Sequence, residues 1–232
     1  GSEVISKRIL NNHPSGFLGI NIGPNRETKN KEEDYYICLS KLSMHAGYIT
    51  INISSPNTEG LRDFHSQIEM EKLLIGLNKI KKDKKISKPI GIKLSPDIND
   101  KEISIIVELI NKYGIQGIII SNTTDKNREN LSDFKKKEAG GLSGQPLKDI
   151  STNLIKKFYK ETKGKIKIIG VGGVDSGQSA FEKITAGANA VQLYTGMVYK
   201  GPGIVKDIKK ELISILKKEN LKNITQAVGI NA

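Results

Sequence analysis

The chain of 232 residues has one cysteine, Cys38, no tryptophan and three histidines. A single thiol excludes an internal disulfide framework and a cysteine-based zinc site, and it fits a reducing compartment. His13, His45 and His65 share no metal-ligand spacing, so no metal is expected. No apolar run approaches the roughly 20 residues of a membrane-spanning helix. There is no P-loop, and no Ser-His-Asp order can be placed. Aromatic residues make up 5%, and no base-stacking signature or zinc-finger spacing accompanies the positive charge. No secretory signal is visible, and Gly1-Ser2 reads as the remnant of a cleaved tag.

Lys and Arg number 37 against 25 Asp and Glu, a net charge of +12. The excess is almost all lysine, in clusters such as Lys81-Lys82, Lys135-Lys136-Lys137 and Lys217-Lys218. These fall on predicted helix faces and in turns, so the charge reads as a solvated surface and no nucleic-acid partner is expected.

What the chain does have is a repeating alternation. Short β-branched runs at Phe17–Ile22, Tyr48–Ile53, Pro89–Leu94, Gly117–Ser121, Ile166–Val171 and Ala190–Tyr194 predict buried parallel strands. Stretches with apolar residues three and four apart predict helices over Glu32–His45, Ile68–Lys81, Lys101–Lys112, Leu147–Glu161, Ser176–Ala186 and Gly203–Lys218. Asp100 is read as an N-cap, and Gly47, Gly114 and Gly187 as glycines just past helix ends. No linker interrupts the alternation, so it predicts one α/β domain with a parallel sheet.

Polar residues recur at the strand ends: Asn21, Asn52, Ser54, Lys93, Asn122, Gly172 and Thr195. In a (β/α)8 TIM barrel they converge on one mouth. The last two strands run into small, glycine-rich turns, where such barrels hold phosphate. Counting back from them makes the six units barrel strands 3–8. The expectation is therefore residues 1–232 as the C-terminal portion of one barrel domain.

Alternation along β2 sends Ile49, Ile51 and Ile53 to the helices and Thr50, Asn52 and Ser54 inward. Asn52, with two donors and an acceptor, suits a planar amide-like ligand. Lys93 shares the inward face with Gly91, and an unpaired ammonium there calls for an anion from the protein or a cofactor. Ala139–Gly144 supplies a loop whose N–H groups can approach a ligand closely. Gly170-Val171-Gly172-Gly173 lacks the third glycine of a dinucleotide fingerprint. It fits a phosphate cradle of backbone amides and a helix N-terminus near Ser176. His45 reads as structural, and His65 lies in a long loop read as a lid.

The ordered segments INISSPNT-x-GLR (51–62), LGINIGPN (18–25), GIKLSPD (91–97), SNTT (121–124), GGLSG-x-PL (140–147), IIGVGGVDSG (168–177) and QLYTG (192–196) resemble dihydroorotate dehydrogenases, FMN-dependent (β/α)8 enzymes of pyrimidine synthesis. Ser55 stands where the cytosolic class has Cys, so the resemblance is to class 2, the membrane-associated, quinone-reducing type. Arg62 and the lid loop agree with it. The resemblance implies oxidation of dihydroorotate to orotate, with FMN accepting hydride and quinone as final acceptor. It implies Ser55 as general base for the C5 proton and Thr58 as its relay. Asn52, Asn57, Asn122 and Thr123 would hold substrate. Asn21, Asn52, Lys93, Ser121, Gly144, Gly172, Gly173, Tyr194 and Thr195 would hold FMN, with Lys93 meeting the charge that hydride transfer puts near flavin N1/O2.

The chain departs from the family's pattern in lacking the N-terminal helices that gate quinone, the first two barrel strands, an Ala-Gly-x-Asp-Lys segment, a Pro-Arg-Pro segment and a further substrate Asn. Ser121 replaces the commoner Thr and Thr195 the commoner Ser. The parent is expected as a monomer, attached through that N-terminal region to the cytoplasmic face of a bacterial inner membrane or to the mitochondrial inner membrane. The chain alone is expected to turn over poorly. Two alternatives stand beside this: another FMN barrel reductase of the dihydropyrimidine or dihydrouridine type, and a non-catalytic phosphate-binding module.

Overall fold

The computed structural model describes residues 1–232 apart from His13, Glu59, Asn127 and Asn130, so the His13 reading lies outside the described residues. Six parallel strands, β1 (Gly19–Ile22), β2 (Tyr48–Asn52), β3 (Ile90–Leu94), β4 (Gly117–Ile120), β5 (Lys167–Val171) and β6 (Ala190–Gln192), pair strictly in chain order. The sheet is a curled half-barrel with β1 and β6 as its two open edges. The Gln192 amide of β6 donates to the Tyr48 hydroxyl of β2 at 2.9 Å, a link across four intervening strand pairings. The α/β barrel expectation holds, and all six predicted strands form.

The helices are α1 (Ser2–Asn12), α2 (Lys31–Leu42), α3 (Gln67–Asp83), α4 (Asp100–Lys112), α5 (Lys148–Thr162), α6 (Gly177–Thr185), α7 (Thr195–Lys200) and α8 (Ile204–Lys218). The sequence reading missed α1, which has no fully buried residue and packs on the core through the partly buried Ile9. It is held by Glu3 on Lys41 at 2.7 Å and by Ser6 Oγ on His45 Nε2 at 2.8 Å, which confirms a structural His45.

Two local readings are corrected. The N-cap of α4 is Asn99, not Asp100: its side chain accepts from Glu102 N–H while Glu102 reaches back to the Asn99 N–H, a capping box. Gly47 is not a left-handed residue past a helix end. It is small because a Cβ there would meet the Phe17 ring at 2.5 Å. Gly114 and Gly187 do take positive φ, as expected past helix ends. The main core lies between the sheet's outer face and the helices, with Ile49, Ile51, Ile92, Ile118 and Ile168 buried against Leu73, Leu77, Ile106, Ile110 and Phe158. The concave face mixes polar groups such as Asn52 and Lys93 with apolar ones such as Ile119 and Val171.

Candidate active site

The period-2 alternation of β2 works as read: Ile49, Ile51 and Ile53 are buried, and Asn52 and Ser54 meet polar partners inside the curl. Tyr35 of α2, fully buried, donates to the Asn52 carbonyl at 2.6 Å and fixes the strand's end. Burial raises the Tyr35 phenol's pKa, so it stays a donor.

Asn122 follows β4, whose end is pinned by Asn122 N–H to the Leu94 carbonyl and by Ser121 N–H to the Val171 carbonyl. The Asn122 amide donates to Asn52 Oδ1 at 3.3 Å and to Ser54 Oγ at 3.1 Å, and its Oδ1 accepts the Thr123 N–H at 2.8 Å. Asn52 Oδ1 also accepts from Ser54 Oγ. This network orients both amides and leaves the Asn52 Nδ2 donors free among the described residues.

Lys93 lies beside Asn52 in the β2–β3 register. Burial lowers its pKa below the usual lysine value, and no carboxylate pairs with it among the described residues. A half-buried ammonium without an anion is costly to hold. Among the described residues, then, no carboxylate supplies the anion that the sequence called for.

A cavity of about 880 Å³ opens on the concave side. Lys93, Ser121, Asn122, Thr123, Gly144, Gly172, Gly173, Tyr194 and Thr195 line it together. Gly172 and Gly173 have φ of +112° and +71°, and a Cβ on Gly173 would lie 2.7 Å from Lys148 Cα. Gly144 has φ +80°, and the adjacent Ser143 Oγ accepts from Thr195 Oγ1 at 2.9 Å. This turn chemistry presents backbone to the cavity.

The helix N-terminus near Ser176 is not part of that cradle, contrary to expectation. Neither Ser176 nor Gly177 lines the cavity, and four nearby N–H groups are already satisfied: Ser179 N–H by Ser176 Oγ, Asp175 and Ser176 N–H by Ser179 Oγ, and Gly177 N–H by Glu211.

Asn21, Asn52, Ser55, Asn57 and Thr58 do not line the cavity. Asn52 reaches it through Asn122. Asn21 is exposed on edge strand β1. Ser55 Oγ accepts the Asn57 N–H at 3.2 Å. Its turn touches the cavity rim, since a Cβ on Gly141 would lie 3.2 Å from Pro56 Cγ and clash with Thr123.

His65, read only as part of a loop, is buried. Its Nε2 accepts the Ser95 N–H at 3.3 Å, so Nδ1 carries the proton and donates to the Arg62 carbonyl at 2.9 Å. Sequence reasoning missed this anchor, and also the carboxylates around Arg62: Asp97 and Asp125. It missed Lys183 as well, although Lys183 stands three residues after Ala180 on the buried face of α6.

The sequence profile described as dihydroorotate dehydrogenase matches residues 1–216. A protein named dihydroorotate dehydrogenase (quinone) from Bartonella tribocorum is 40% identical over 97% of this chain and 63% of its own length. The mouse protein named dihydroorotate dehydrogenase (quinone), mitochondrial, is 40% identical over 92% of this chain and 55% of its own. The crystal structure of ligand-free type DHODH from Eimeria tenella superposes with a TM-score of 0.93 at 31% identity, over 100% of this chain and 71% of that one. The chain thus spans under two thirds of the two sequence relatives.

Proposed function

The chain belongs to the dihydroorotate dehydrogenase family, and from that premise we propose that it is the C-terminal portion, barrel strands 3–8, of an FMN-binding barrel that oxidises dihydroorotate to orotate with quinone as final acceptor. The observation that carries this reading is Lys93, a desolvated ammonium without an anion among the described residues, at the wall of a cavity of about 880 Å³ that also holds two glycine cradles. Those residues fit a flavin phosphate: Gly172, Gly173 and Gly144 offer backbone, and Ser121 and Thr195 offer hydroxyls. When bound, FMN would supply the two-electron acceptor.

The chain's own residues then divide the work. Asn52 and Asn122 orient the substrate's amide edge, with Thr123 and Asn57 beside them. Ser55 takes the C5 proton. The Asn57 N–H donated to its Oγ fixes the direction of the hydroxyl, and Thr58, three residues on in the same turn, passes the hydroxyl's own proton to solvent as Oγ takes the one from C5. A free serine is a weak base, so the segment Ser55–His65 must exclude water, and Arg62 and His65 hold it down. No helix among the described residues is long and apolar enough to cross a membrane. By the family resemblance, peripheral attachment to the quinone-bearing membrane is assigned to the parent's N-terminal region, and the parent is taken as a monomer.

The test is spectroscopic. The chain is titrated with FMN, then with orotate. A saturable change in flavin absorbance on adding orotate is expected, with slow or absent turnover of dihydroorotate by the chain alone. No FMN binding, or a flavin that responds to uracil and not to orotate, would overturn the reading.

A further inference from the structure

Lys183 is the most deeply buried cation in the protein and the reaction above does not use it. Its side chain is fully buried in α6. The ammonium has three hydrogens and meets three acceptors, all in the first turn of α5: Ser151 Oγ at 2.5 Å, Thr152 Oγ1 at 3.0 Å and the Lys148 carbonyl at 3.2 Å. The single Ser151 hydroxyl hydrogen has two acceptors in reach, the Lys148 carbonyl at 3.2 Å, which already accepts from Lys183 and Thr152, and the Gly172 carbonyl at 3.3 Å. In a trans peptide the C=O and N–H point in opposite directions. Drawing the Gly172 carbonyl toward Ser151 therefore turns the Gly173 N–H away from α5. That N–H bonds nothing among the described residues, and Gly173 lines the cavity.

A helix N-terminus is an unfavourable place for a cation. Here it is tolerated beside a turn built to receive an anion. Gly170 also packs closely here, since a Cβ there would lie 2.9 Å from Ile155 Cδ1 and 3.2 Å from both Ala188 Cβ and Lys183 Cδ. The charged groups bearing on Lys183 are Glu182 of its own helix and Lys148 and Asp149 of α5. Lys148 pairs with Glu182 at 3.0 Å, so neither is free to neutralise Lys183.

We propose that Lys183 is a positioning residue that couples one proton to the binding of a phosphate monoester at the Gly172–Gly173 turn. The proposal rests on the FMN reading above. Burial pulls the Lys183 ammonium down to about 7. A phosphate one layer away favours the charged form, so binding above that pH draws a proton in.

The experiment compares FMN with riboflavin, which lacks the phosphate, by titration calorimetry between pH 6.5 and 8.5 in buffers of different ionisation heat. Wild type should prefer FMN, lose about tenfold of that preference across the range, and take up a proton at pH 8, where the flavin phosphate is already a dianion. Lys183→Met should lose the preference and the uptake. Lys183→Arg, with a fixed charge, should keep the preference and lose the uptake. Preference and uptake unchanged in both variants would overturn the proposal while leaving the FMN reading intact. Absence of uptake in wild type does the same, whether or not the variants fold. Equal binding of FMN and riboflavin by wild type overturns both.

Discussion

Arg62 Nη2 lies 3.1 Å from Asp97 Oδ2, and the same guanidinium places Nη1 3.0 Å from Asp125 Oδ1. One side chain thereby ties the segment after β2 to those after β3 and β4. It also donates to the Thr123 carbonyl at 3.4 Å, and Asp97 accepts from Thr124 Oγ1 at 2.7 Å. The fork is needed because the acceptors come from different loops.

Arg62→Met leaves Asp97, which is 8% exposed, without its cation. A cost of about 3 kcal/mol is expected, read as a lower urea midpoint at unchanged slope. Arg62→Lys reaches one carboxylate at a time and should cost about half as much. If Ser55 acts as proposed, both variants lower the rate of proton removal more than substrate affinity, because the loop carrying Ser55 loosens while Asn52 and Asn122 stay bonded. Equal stability of Arg62→Met and wild type would show that the cluster is only surface decoration.

Lys93→Met separates the fold from the ligand. With no anion beside it among the described residues, Lys93 burdens the ligand-free chain. Its replacement should raise ligand-free stability by about 1 kcal/mol. The same change should weaken FMN binding at least about tenfold. Opposite signs in thermal unfolding and in flavin titration are the expected result. A loss in both would mean that Lys93 has a structural partner.

Much of this was legible in the sequence, for definite reasons. Parallel strands buried on one face write themselves as β-branched runs, so the six strands could be read, and period 2 separated Ile51 from Asn52. Local capping was less legible, because Asn99 and Asp100 are adjacent and both are good caps. The N-terminus of α6 looked open because Glu211, which closes it, lies 34 residues away. Long-range polar pairing has no periodic signature. That is why His65 on Ser95, Arg62 on Asp97 and Lys183 on Ser151 emerged only in three dimensions. The cavity wall was legible for Lys93, Asn122 and Gly173. The placement of Ser55 and Asn57 at its rim was not, since loop geometry decides it.

Gly173→Ala tests the cradle directly. The position has φ +71°, and the added Cβ would meet the Lys148 backbone at 2.7 Å. The neighbour is main chain of α5 and cannot swing aside. A destabilisation of about 2 kcal/mol is expected from the backbone conformation alone, together with loss of any preference for FMN over riboflavin. Gly140→Ala is the control. Its φ is +131°, but nothing lies within 4 Å, so flavin selectivity should be retained.

His65 predicts an acid limb in the stability profile. Burial lowers its pKa below the usual 6.5, and the neutral ring is the form used, with Nε2 accepting from Ser95 N–H. In the unfolded chain the ring protonates near its ordinary pKa, whereas in the folded protein it resists until lower pH. Between those values the unfolded state binds more protons, so stability falls as pH drops below about 6.5. Above that pH the contribution is complete and the profile is flat in this group. Each unit by which the folded pKa is lowered corresponds to about 1.4 kcal/mol of stability lost once both states are protonated. His65→Asn should be less stable than wild type at pH 7.5, and its urea midpoint should fall less steeply between pH 6.5 and 5. Carboxylates elsewhere add the same slope to both proteins, so the difference between the two profiles isolates His65. Parallel profiles would mean that the ring titrates alike in the folded and unfolded states, and that its hydrogen bond to Ser95 is not maintained in solution.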